Sequence, residues 1–123
     1  MPDTDHLIIR NQTRSTLLGE RIGLADNPKT RNVGLLKHTH LDEGEGLWII
    51  PTQAIHTFMM KFAIDLVFVD KHKRVTKVVA ALKPSRMAMS WRAQGVVELP
   101  PGTAQATHTQ AGDQLEFERI RAR

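Results

Sequence analysis

The chain has 123 residues, 41% of them hydrophobic and 24% charged, with no cysteine and a formal net charge of +4. That length and balance suit one soluble domain with an ordinary core. Disulfides and thiolate metal sites are excluded, and no apolar run reaches the roughly 18 residues that a membrane-spanning helix requires. The opening MPDTDHLIIR lacks the basic-then-apolar layout of a secretory signal. A cytoplasmic chain is the simplest expectation, and an exported mature form stays open. Charge is unevenly spread: residues 1–70 hold seven Lys/Arg against nine Asp/Glu, whereas residues 71–123 hold ten against four. A basic half can attract nucleic acid or anionic metabolites, or simply be a solvated surface.

Taken in order, His6 to Arg10 predicts a first strand and Asn11 to Arg14 a polar turn. Ser15 to Leu18 resumes an extended pattern, and Gly19, before the alternating Glu20 to Ala25, suggests a hairpin turn there. Asp26-Asn27-Pro28 has a capping side chain followed by proline, which predicts a helix near residues 28–37. Leu41 to Gly46 is a loop by composition. Leu47 to Ile50 is a short apolar strand stopped by Pro51. Asp65 to Asp70 places four apolar residues between two acids, as in a central strand covered on both faces. Lys71 to Arg74 is a charged hairpin tip and Val75 to Leu82 its return strand. Ser85 to Trp91 fits an edge strand or a covering loop. Gly95 to Leu99 is a strand closed by Pro100-Pro101-Gly102, Thr103 to Gln110 allows one or two helical turns, and Leu115, Phe117 and Ile120 mark a last strand. The sum is a mostly-β α+β domain spanning 1–123. Its sheet is expected to be curved, antiparallel-rich and partly closed, barrel-like, with one short helix near 28–37.

Several of these segments together resemble the bacterial and archaeal family known as domain of unknown function 192 (the UPF0127 proteins). They are Ala25 through Arg31-Asn-Val-Gly34-Leu35-Leu36, Gly44-Glu-Gly46-Leu47-Trp48, Ile55 to Asp70 (IHTFMMKFAIDLVFVD), Val97 to Gly102 and Gly112-Asp113. They cover about residues 21 to 118 in the family's order and spacing. Phe58-Met59-Met60-Lys61 stands where many members have Phe-Trp-Met-Lys, and Ile64-Asp65 where they have Ile-Pro-Leu-Asp. The family has no established activity, so the resemblance implies a fold and a motif rather than a reaction.

Ile55 to Asp70 is also where a site is expected. His56 opens the densest apolar run, and an imidazole there could titrate or bind. Asp65 interrupts a core strand and needs a partner if buried, for which Arg31 or Lys61 would serve. Trp48, Phe58 and Trp91 could line a flat apolar pocket with Glu98 at its edge, or simply pack the core. His38 and His40, followed by Asp42, alternate as chelating residues on a strand would, yet lack a closely spaced further ligand. No metal and no cofactor is expected. No phosphate loop, Gly-x-Ser-x-Gly elbow or His-Glu-x-x-His is present.

These features favour a non-catalytic domain binding a small polar or anionic ligand through Arg31, Trp48, His56, Phe58, Lys61, Asp65, Trp91 and Glu98. One alternative is a small hydrolase or isomerase with His56 as general base, oriented by Asp65 or Glu98. Another is nucleic-acid or protein interaction through the basic C-terminal half, where stacking aromatics are few and nucleic acid is the less favoured partner.

Overall fold

The computed structural model describes residues 4–26 and 40–122; the helix expected near 28–37, with Arg31, and His38 lie outside the described residues. Among the described residues nine strands and one short helix follow one another: β1 (His6–Asn11), β2 (Thr16–Ala25), β3 (Glu45–Ile49), β4 (Ala54–His56), β5 (Ile64–Val69), β6 (Val75–Leu82), β7 (Met87–Met89), β8 (Gly95–Leu99), α1 (Thr103–Ala106) and β9 (Leu115–Ile120). Seven strands form one sheet in the order β6-β5-β8-β3-β2-β1-β9, and β4 and β7 form a separate two-stranded ribbon. The sheet is mixed: β2 and β3 run parallel and the other pairings are antiparallel. Among the described residues it does not close into a barrel. Its two edge strands are nevertheless drawn together at one end, where Arg74 bridges Gln114 and the Leu115 N–H donates to the Lys73 carbonyl at 2.9 Å.

Side-chain alternation then explains two apolar clusters, one on each face. Trp48, Val67, Val69, Val97 and Leu99 point one way with Leu7, Ile9, Ile22 and Leu115. Ile49, Ile64, Leu66, Phe68 and Val96 point the other way and meet Met60, Phe62, Ile55 and Ala88 of the ribbon and its following loop. Every residue of β5 and β8 is buried. For β5 that is the predicted two-sided burial of a continuous apolar run, and β8 shares it.

One expected turn is displaced. The first hairpin turns at residues 12–15, with Asn11 paired to Thr16 and Ser15 at φ 57°, while Gly19 lies inside the ten-residue β2. Gly19 serves close approach there: a Cβ would stand 2.6 Å from Ile22 Cδ1 and 2.8 Å from the Gly44 carbonyl oxygen. The ambiguous Ser85–Trp91 stretch contains only the three-residue β7, whose Ala88 packs inward with Ile55 while Met87 and Met89 are exposed.

Candidate functional site

The two acids in the central strands face opposite ways. Asp65 lies on the face of Trp48 and Val97 and is fully buried. Its expected partners were Arg31, which lies outside the described residues, or Lys61; among the described residues its partners are three backbone N–H groups. Oδ1 accepts from Ala81 at 2.8 Å; Oδ2 accepts from Gly102 at 3.1 Å and Ala104 at 2.8 Å. The reason is local. β6 carries a register shift opposite Asp65, with Ala81 at φ 50°, and the chain after Pro101 turns at Gly102, φ 96°, to begin α1. Both irregularities leave N–H groups unpaired, and the carboxylate collects them. Lys61 is exposed.

Glu98 lies on the other face, paired across the sheet with Leu47 and Leu66. It is 3% exposed, and among the described residues its Oε1 has no hydrogen-bond partner. Burial among apolar neighbours pushes its carboxyl up to about 7. His56 stands on the outer side of the ribbon, exposed, its ring stacked on Phe58 at 4.9 Å. Among the described residues no carboxylate lies within hydrogen-bond reach of its ring. Trp48 is a core residue: it meets Phe117 edge-on at 4.8 Å, and Lys73 Nζ caps the pair at 5.6 and 5.4 Å. Trp91 is exposed at the end of the ribbon. The residues singled out in the sequence are thus spread over two faces and a ribbon. His40 Nε2 lies 3.1 Å from Asp42 Oδ1 on the surface, and among the described residues no group of three His, Cys, Asp or Glu is placed to hold a metal ion.

The geometry assembles a different set. Residues 51–53, 70–72 and 92–94 converge on a cleft of about 600 Å³ lined by Thr52, Gln53, Lys71, His72, Arg92 and Gln94, with Asp70 at one wall. The Thr52 N–H donates to the Gln94 carbonyl at 2.9 Å, and the Gln94 N–H to the Val69 carbonyl at 2.8 Å, so the three segments are fixed to one another. Asp70 Oδ1 accepts from the N–H groups of His72 at 2.8 Å and Arg74 at 3.0 Å. Burial alone would raise the Asp70 carboxyl; these donors outweigh it and hold the group below its usual range. In the sequence Lys71 and His72 stood out only as part of a charged hairpin tip, and Arg92 only as one charge of the basic C-terminal half. A second cleft of about 720 Å³ lies between Leu17–Glu20, Glu43-Gly44 and Pro100–Thr107. No described helix is long and apolar enough to cross a membrane.

The chain belongs to the DUF192 family (Uncharacterized ACR, COG1430), whose model matches residues 9–117. It is similar to a UPF0127 protein of Pyrococcus furiosus, 29% identical over 118 residues that span 89% of this chain and 97% of that one. Two solved structures share the fold. A protein of unknown function from Novosphingobium aromaticivorans matches at TM-score 0.77 and 20% identity, over 89% of this chain and 82% of the other. A Sinorhizobium meliloti protein named as a candidate transcription regulator matches at TM-score 0.79 and 18% identity, over 92% of both chains.

Proposed function

We propose that this chain is a non-catalytic binding domain for a small anionic ligand, held in the cleft between residues 51–53, 70–72 and 92–94. The observation that carries this reading is the convergence of Lys71, His72 and Arg92, from two separate segments, on one concave space. Its volume of about 600 Å³ lies in the range of small-molecule sites. Two always-charged donors and a titratable one, with the amides of Gln53 and Gln94, match the acceptor-only oxygens of a carboxylate or phosphate. The carboxylate at the wall is already engaged by backbone N–H groups, so it opposes an anion less than a free acid would. Gln53 is held in place by donating from Nε2 to the Trp91 carbonyl at 2.7 Å, with the Trp91 side chain outside the cleft.

The test is an NMR titration of His72 together with thermal unfolding, using inorganic phosphate and citrate as probes. A bound anion moves the His72 ring resonances and raises the melting temperature. Lys71→Gln with Arg92→Gln removes both responses while leaving the unliganded melting temperature in place. Unmoved His72 resonances at millimolar phosphate and citrate would refute the cleft as an anion site.

A second reading, a small acid–base enzyme, has one supporting observation: a buried carboxyl at Glu98 whose proton affinity sits near neutral. It is tested by ¹³C NMR of the Glu98 carboxyl against a pooled metabolite library. A carboxyl signal that no compound moves would remove that support.

A further inference from the structure

Outside the cleft, the ribbon carries an unusual surface. The register pairs Met87 with His56 and Met89 with Ala54, on the side away from the core, because Ile55 and Ala88 pack inward. Trp91 continues the same alternation past the strand end. Phe58 is stacked on His56, and Met59 follows at the tip of a turn with φ 65°. These side chains stand clear of the protein: Met59 is 84% exposed, Trp91 81% and Met87 67%. A large apolar group so exposed once is ordinary; several along one short ribbon mark an interaction surface.

The charge around this stripe has one sign. Residues 46–64 and 71–97 contain no Asp or Glu. Lys77 Nζ is fixed at the stripe's edge by donating to the Met89 carbonyl at 2.9 Å. The Lys83 and Arg86 carbonyls both accept from Thr57 Oγ1, at 2.7 and 3.3 Å, which places those two residues beside Phe58. Arg92 follows Trp91 directly.

We infer that the outer face of the β4–β7 ribbon docks on a bilayer surface carrying anionic lipid headgroups, with Met59, Met87 and Trp91 entering the headgroup boundary and Lys77, Lys83, Arg86 and Arg92 lying over the headgroups. An amphipathic surface with tryptophan on its apolar side and cations around it is the chemistry of interfacial membrane binding. Two other occupants fit less well. A second copy of this chain, related by a two-fold axis, would set the same cations against each other. A peptide added as a strand would need free ribbon edges, and the Ala54 N–H and carbonyl are both engaged by Thr52 Oγ1, at 3.4 and 2.8 Å, while Lys77 takes the Met89 carbonyl.

The experiment is co-sedimentation with vesicles of phosphatidylcholine alone and of equal parts phosphatidylcholine and phosphatidylglycerol, at low and physiological salt. The chain is expected to pellet with the mixed vesicles only, and less at higher salt. Of its two tryptophans Trp48 is buried, so a blue shift of the emission on binding reports Trp91, and Trp91→Phe removes the shift. Neutralising Lys83→Gln and Arg86→Gln together lowers the partition on the order of 30-fold, about fivefold for each basic residue near the surface. Met87→Ser with Trp91→Ser abolishes pelleting without changing the melting temperature, since both side chains are exposed. Three results would overturn the inference: the chain staying in the supernatant with mixed vesicles at low salt, pelleting unchanged by Met87→Ser with Trp91→Ser, or a Trp91 blue shift caused by an acidic Glu/Leu peptide and not by vesicles. The last would make the ribbon a protein-docking face. Neither Met87 nor Trp91 lines the anion cleft, so this outcome is separable from that of the phosphate titration.

Discussion

Replacing Glu98 by glutamine should make the protein more stable relative to wild type as pH rises, which is the reverse of what losing a paired carboxylate does. Glu98 is buried between Leu47 and Leu66 without a partner for Oε1 among the described residues, and its carboxyl titrates at about 7 instead of 4.5. Between those values the folded chain keeps a proton that the unfolded chain has released. The folded state therefore binds more protons, and its stability falls as pH increases. The contribution of the neutral acid is fully present below 4.5 and is lost as pH passes through about 7. At about 1.4 kcal/mol per pH unit, the gap amounts to about 3 kcal/mol. Glutamine has the same shape and no charge to desolvate. Its amide brings a constant offset of its own, so the informative quantity is how the difference between variant and wild type changes with pH. Urea unfolding of both proteins from about pH 4.5 to pH 8, with equal m-values, gives that difference. The other acids cancel in it. The variant should gain about 3 kcal/mol on wild type across the range. Stability curves that run parallel would refute the buried, unpaired state of Glu98.

Asp65→Ala removes the acceptor shared by Ala81, Gly102 and Ala104, and leaving such donors unpaired should cost about 4 kcal/mol in urea unfolding. Asp65→Asn keeps one acceptor oxygen but aims an amide N–H at a backbone N–H, and should cost about half as much. Gly95→Ala would put a Cβ 2.4 Å from Trp48 Cη2 and 2.7 Å from the Ile49 carbonyl oxygen, so a loss of about 3 kcal/mol and a changed near-ultraviolet signal of Trp48 are expected. Asp113 is buried, which alone would raise its carboxyl, but bonds from Arg14 Nε, Asn11 Nδ2 and the Gln110 N–H reverse this and lower it. Its stabilisation is present above 3.8 and is lost as pH falls through the lowered value. Asp113→Asn should therefore be less stable than wild type by about 1–3 kcal/mol at neutral pH, with the difference shrinking in acid.

What was legible in the sequence follows from how far each signal reaches. The run Asp65–Asp70 read correctly as a doubly covered strand because continuous burial leaves a local apolar pattern, and Gly95–Leu99 read correctly as a strand, although its burial on both faces was not foreseen. The charged tip at Lys71–Arg74 and the turn at Pro100-Pro101-Gly102 read correctly because turn chemistry is local as well. Gly19 was read as a turn and is a packing site. Its lack of a side chain admits the Ile22 methyl and the Gly44 carbonyl, and only the β3 neighbourhood reveals that need. The partners of Asp65 were illegible for a related reason: they are backbone donors freed by irregularities 16 to 39 positions away, and no side chain marks them. Asn11 looked like a turn residue. It is buried and ties Thr109 to Asp113 across nearly the whole chain.

The two ends of the sheet are finished differently. Asp65 pairs with Leu99, and there the β5 and β8 backbones are closed by α1 and a carboxylate whose oxygens are all committed. At the other end Val69 pairs with Gly95, and Ile49 with Val96, where β3 and β5 finish and β8 begins. The cleft residues lie in the segments that adjoin those strand ends, so a firm sheet positions them. The glycine at this end is consequential: Gly95 lets Trp48 close the core beneath the cleft. A larger residue would displace that indole and, through Gln94, the segment carrying Arg92. The same short segment carries Trp91 outward to the ribbon's apolar stripe. A chain docked by that stripe would therefore hold the cleft close to the surface it rests on, and cations useful for one contact would raise the local concentration of anions for the other.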